Sequence, residues 1–155
     1  MHAEGSLEIA AAREATWDAV TDPEVLASCV PGGGSLVIER TGATVFTLRG
    51  RIGQGFLSLP VEGQVELSGL RRPSVAQAGL HGSLAGTSLD ATMLLALEDV
   101  APGSTRLRWA ADSSIVGPLA GMAQPYLDRE GPGAIERTLE CLRSRLEAGP
   151  QGGAA

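Results

Sequence analysis

Glu14-Ala15-Thr16-Trp17-Asp18-Ala19-Val20-Thr21-Asp22-Pro23-Glu24-Val25-Leu26-Ala27-Ser28-Cys29-Val30-Pro31-Gly32 reads as two short helices meeting at a fixed elbow. Asp22 is placed to accept hydrogen bonds from the free amides of the second helix. Pro23 takes the first helical position, where a missing N–H is harmless, and Glu24 adds favourable charge there. Pro31 and Gly32 stop that helix.

Upstream of the elbow, Ser6 to Ala11 alternates Leu7, Ile9 and Ala11 against Ser6, Glu8 and Ala10, the period of a strand with one buried face. Downstream, the spacing predicts strands over Leu36 to Arg40, Thr44 to Ile52, Phe56 to Leu70, Ser74 to Leu84, Ser88 to Leu97 and Thr105 to Ser114. Turn chemistry separates them at Thr41-Gly42, Gly53-Gln54-Gly55, Arg72-Pro73, Ala85-Gly86 and Ala101-Pro102-Gly103. Val61, Gly63, Val65 and Leu67 oppose Glu62, Gln64, Glu66 and Ser68, so one face of the sheet is wet. From Pro118 to Leu146 the spacing is helical, with Ile135, Leu139, Leu142 and Leu146 on one stripe; Pro125 and Gly131-Pro132-Gly133 are expected to bend or interrupt it. The order predicts an α+β helix-grip domain over residues 5–147, a curved antiparallel sheet of about seven strands wrapped around a long C-terminal helix. Residues 148–155 read as a flexible tail.

The chain has 155 residues, 43% of them hydrophobic but only 3% aromatic, with 21 glycines and a net charge of −6. A core of this size is aliphatic, and without a basic stripe or stacking platforms nucleic acid is not an expected partner. No apolar run approaches the roughly 20 residues that span a bilayer, so membrane contact is expected to be transient at most. Cys29 and Cys141 lie far apart on predicted helices and no signal peptide is evident; the expectation is two reduced thiols, no structural disulfide, and a cytoplasmic setting, peripheral to the membrane if it meets one.

Candidate chemistry is sparse. His81 falls in register with Val75, Gln77 and Gly79, opposite the more apolar Ala76, Ala78, Leu80 and Leu84, which makes it a surface histidine rather than an acid or base. Cys29, His81 and Cys141 are each solitary, so no metal site is expected. Capping accounts for Asp22 and Glu24. Pro31-Gly32-Gly33-Gly34-Ser35 lacks the strand before, the helix after and the lysine that a phosphate loop needs. Trp17, amid Ala15, Ala19 and Val20, reads as a core anchor.

What remains is shape. Small residues such as Gly82, Gly86, Ala91, Ala111 and Ala120 leave room between sheet and helix, so either the helix settles close to the sheet or a cavity of roughly 300–1,000 Å³ remains. Phe46, Leu48, Leu80, Met93, Leu95, Trp109, Met122 and Tyr126 are the candidate ligand-binding residues. Tyr126, one helical turn beyond Met122, is the candidate neutral donor to a ligand carbonyl. No catalytic residue is assigned.

The elbow from Trp17 through Asp22-Pro23-Glu24 to Val30-Pro31-Gly32 resembles the START-like superfamily and, within it, the family of the carbon monoxide dehydrogenase G subunit. Ile52-Gly53, Gly63-Gln64-Val65-Glu66-Leu67, Gly82 to Gly86 and Gly117-Pro118-Leu119-Ala120 are similar too, and the likeness covers about Gly5 to Leu146. The resemblance implies a non-catalytic accessory protein that binds an apolar, quinone-like or lipid-like molecule between sheet and helix, without a covalent cofactor. It also implies association with a molybdenum hydroxylase complex. Some members of the family carry a long membrane-attachment tail, which the Gly149 to Ala155 segment does not resemble. Two alternatives stand beside this reading: a START-like enzyme of the polyketide cyclase or hydrolase type, and an interaction module with a filled core.

Overall fold

The computed structural model describes residues 1–30, 36–52 and 59–154. The turns expected at Pro31-Gly32 and Gly53-Gln54-Gly55, the glycine run to Ser35 and the strand start at Phe56 lie outside the described residues. Strand β1 (His2–Ile9) leads into α1 (Arg13–Val20) and α2 (Pro23–Cys29). Then come β2 (Val37–Arg40), β3 (Val45–Ile52), β4 (Leu59–Arg71), β5 (Val75–Leu84), β6 (Thr87–Ala101), β7 (Ser104–Val116) and the long α3 (Ala120–Ala154). The seven strands form one sheet in the order β1-β7-β6-β5-β4-β3-β2. Every neighbouring pair is antiparallel, so β2 to β7 is a meander that β1 extends beyond β7.

The elbow is built as its sequence dictates. Asp22 accepts from the Glu24 amide at 3.0 Å and the Val25 amide at 3.5 Å. The Thr21 hydroxyl and amide both donate to the Trp17 carbonyl, at 2.7 and 3.1 Å, closing α1 just before the cap of α2. Between β5 and β6 the chain reverses in two residues, Ala85 at φ +49° and Gly86 at φ +79°, the pair of left-handed conformations that matches strand twist in a tight hairpin. At Gly117, φ +138°, an added Cβ would come within 2.6 Å of the Thr87 Cα, so only glycine lets the chain leave β7 past the start of β6. The Leu119 amide then donates to the Thr87 hydroxyl at 2.8 Å and aims the chain into α3.

The helix is not interrupted at Pro125 or Gly131-Pro132-Gly133, and its assigned span, Ala120–Ala154, includes most of the segment that reads as a tail. Pro125 and Pro132 each remove one backbone donor, but the carbonyls they would have served belong to Gly121 and Asp128, both exposed residues whose carbonyls solvent can satisfy.

One end of the interior is tightly packed. Ile9, Leu97, Leu107 and Trp109 from the sheet, Trp17 and Val20 from α1, and Leu139, Leu142 and Leu146 from α3 form the buried core. Trp17 is 4% exposed, the core anchor its surroundings imply. Gly5 lies directly across from Trp109, and a Cβ there would sit 3.0 Å from the indole: the glycine makes the bed for the ring.

The cysteine expectation is overturned. Cys29 at the end of α2 and Cys141 on α3 form a disulfide across 5.6 Å between Cα atoms, 112 residues apart in sequence. Packing of α2 against α3 brings them together, a contact that no spacing in the chain announces. With no free thiol, the argument from reduced cysteines to a reducing compartment falls away.

Candidate functional site

Strand pairing sorts the inner face of the sheet into cross-strand rows, because residues directly opposite each other share a face. Toward the packed end run Leu7, Leu107 and Leu97, then Gly5, Trp109, Leu95 and Ala76. The next rows read Ala3-Ala111-Met93-Ala78-Leu67, Ser113-Ala91-Leu80-Val65-Phe46 and Ile115-Leu89-Gly82-Gly63-Leu48. In these three rows Met93, Ala78, Leu67, Ala91, Leu80, Val65, Ile115, Leu89 and Leu48 are only half-buried. None of the residues in them carries a charge. The helix accounts for the difference: α3 packs on β1 and β7, and its core residues all come from its C-terminal half. Among the described residues, the inner face over β3 to β6 is therefore an apolar surface, a bed of small and aliphatic side chains, many of them only half-buried.

Six of the eight expected binding residues lie on this inner face. Phe46, Leu48, Leu80 and Met93 belong to the open rows, while Leu95 and Trp109 are buried in or beside the core. Met122 and Tyr126 do not face the sheet; they are 75% and 62% exposed. The Arg129 guanidinium stacks at 5.9 Å from the Tyr126 ring centre, so Tyr126 cannot be the polar contact inside the bed. Val65, Leu67, Leu89 and Ile115 complete the bed and were legible in principle, since each is the cross-strand partner of a residue that alternation already places inward.

Polar groups on the inner face are few. The Thr105 hydroxyl donates to the Ala11 carbonyl at 2.8 Å and Thr87 is engaged by Leu119. The Ser113 hydroxyl oxygen is buried and has no hydrogen-bond partner. At the sheet edge the Arg40 guanidinium covers the Phe46 ring at 5.0 Å.

The outer face is different in kind. His81 faces outward, 66% exposed, and meets Asp90 at 2.5 Å. His2 meets Asp112 at 2.6 Å, and that hydrogen bond, with the carboxylate charge, raises the imidazole above its ordinary value. Gln64, Glu66, His81, Asp90, Thr92 and Asp112 border a shallow depression of about 510 Å³, open to solvent over Gly79. Among the described residues no three His, Cys, Asp or Glu side chains gather as metal ligands, and no helix is long and apolar enough to cross a membrane.

A family model described as that of the carbon monoxide dehydrogenase G subunit (CoxG) matches residues 5–147. No curated protein matches the chain. Among solved structures, a conserved protein from Geobacillus kaustophilus superposes with a TM-score of 0.81 at 17% identity, over 94% of this chain and 95% of that one. The Zhui aromatase/cyclase from a Streptomyces species superposes at 0.66 with 14% identity, over 97% and 98% of the two chains. Norcoclaurine synthase from Thalictrum flavum follows at 0.62 with 14% identity, over 93% and 84%. These likenesses establish the START-like helix-grip fold.

Proposed function

From the premise that the chain belongs to the CoxG family of carbon monoxide dehydrogenase, we propose that it is a non-catalytic accessory protein which holds an apolar, quinone-like or lipid-like molecule against the inner face of β3 to β6. Its partner in this reading is a molybdenum hydroxylase of the carbon monoxide dehydrogenase type. The observation that carries the ligand is the uncharged bed of half-buried aliphatic residues in a chain whose other half packs well. Leaving Leu80, Val65, Leu89 and Met93 partly wet forfeits burial worth roughly 25 cal/mol per Å², which an apolar guest would recover.

The competing enzyme reading draws on neighbours whose names include an aromatase/cyclase and a synthase on the same fold. Acid–base catalysis in such an interior needs a titratable pair inside it. The described inner-face rows offer none, and the His81–Asp90 pair lies on the opposite face.

Native mass spectrometry of gently purified protein, followed by organic extraction, tests the reading. A co-purified isoprenoid quinone or lipid, lost in a Leu80→Glu variant, is the expected result. Turnover of an added ester or polyketide, abolished by replacing His81, would establish the enzyme instead.

A further inference from the structure

Among the described residues, the buried hydroxyl of Ser113 is the one side-chain polar atom of the open rows without a hydrogen-bond partner. Its oxygen is buried without a hydrogen bond, whereas the main chain of the same residue is satisfied twice: the Met1 ammonium donates to its carbonyl at 2.8 Å, and its amide donates to the Met1 carbonyl at 2.8 Å. Across the sheet it faces Ala91, which offers no polar side chain, and along β7 its inner-face neighbours are Ala111 and Ile115. Alanine at 113 would suit such a place better, because a buried hydroxyl with no partner forfeits hydrogen bonds that water supplied in the unfolded chain. An unsatisfied buried polar atom in an otherwise well-bonded protein calls for a partner that comes from outside.

We propose that the Ser113 hydroxyl is the polar contact of the bound ligand, and that the ligand is an apolar molecule bearing a carbonyl or hydroxyl oxygen at one end. The proposal rests on the apolar-ligand reading above and deepens it by giving the bed a direction. The oxygen-bearing end lies at β7, and the hydrocarbon part runs along the row Ala91, Leu80 and Val65 toward Phe46. Four strand spacings separate Ser113 from Phe46, about 19 Å, enough for a ring system and a prenyl unit. A serine hydroxyl both donates and accepts, so it serves a quinone carbonyl and a phenol alike. The ligand oxygen reaches it by displacing side chains that now cover it. Met1, joined to Ser113 by two main-chain hydrogen bonds, brings a flexible side chain alongside it.

The test compares two probes on the full chain by titration calorimetry: a naphthoquinone with a short prenyl chain, and a prenyl hydrocarbon of similar size without oxygen. Ser113→Ala is expected to weaken the quinone about three- to tenfold, the net value of one neutral hydrogen bond, to leave the hydrocarbon unchanged, and not to lower the melting temperature. Ser113→Thr, which keeps the hydroxyl, should retain the preference for the quinone. If both probes bind the unmodified protein and Ser113→Ala alters neither or both equally, the oxygen contact is wrong while the apolar bed stands. A lower melting temperature with parallel losses would make the hydroxyl structural. If neither probe binds the unmodified protein, the apolar-ligand reading fails and this inference fails with it.

Discussion

The two parts of the interior belong to one sheet and differ in what lies over them. Over β1 and β7 the C-terminal half of α3 inserts Leu139, Leu142 and Leu146, and with Trp17 and Val20 of α1 it leaves Leu107 and Ile9 fully buried. Over β3 to β6, Leu80, Val65, Leu48 and Met93 stay half-buried on strands of equally regular pairing. The strand pairing is equally regular in both parts, while side-chain burial is concentrated at the packed end. A fold that concentrates its stability at one end can leave the other free to take a guest.

The sharpest way to break that contrast is Trp17→Ala. Truncating a buried aromatic in the packed half should destabilise by about 3–5 kcal/mol in denaturant titrations, without selectively changing ligand preference. An unchanged melting temperature with altered binding would move Trp17 from scaffold to site. Next in size is the cross-link that ties α2 to α3. Replacing Cys29 and Cys141 together by serine should remove about 2–4 kcal/mol, because the bond closes a long loop in the unfolded chain. Affinity in the open half should stay the same.

Leu80→Ala should destabilise by only about 1 kcal/mol, since the side chain is partly wet and its removal leaves no sealed cavity, yet it should weaken apolar ligands measurably. A loss as large as that of Trp17→Ala would show the open half to be a filled core after all. Tyr126→Phe should change stability by less than about 0.5 kcal/mol and leave the affinity of a quinone unaltered, because the ring projects into solvent.

Alternation along β4, β5 and β7 carries the sheet almost entirely, and the cap at Asp22 with Pro23 carries the elbow; both are local effects and thus written locally. The helix phase was also present in the sequence. Counting back from the Ile135 to Leu146 stripe at about 100° per residue puts Tyr126 nearly opposite it, and Met122 well off it. Their size suggests a place in the bed, but their phase puts both on the other side of the helix. The uninterrupted course of α3 through Pro132 could not be read in this way, because it depends on solvent reaching the Asp128 carbonyl. The Cys29–Cys141 bond depends on how α2 docks on α3, which is tertiary information. The same holds for Ser113, whose significance lies in a partner it does not have.

The measurement that bears most directly on the two-part interior is a side-chain methyl NMR titration of the full chain with the prenylated naphthoquinone. Resonances of Leu48, Val65, Leu80, Leu89 and Met93 should shift and saturate together, while those of Leu107, Leu139 and Leu142 stay in place. Shifts confined to the packed set, or to Met122 on the exposed side of α3, or none at all, would contradict a ligand bed on the open half of the sheet.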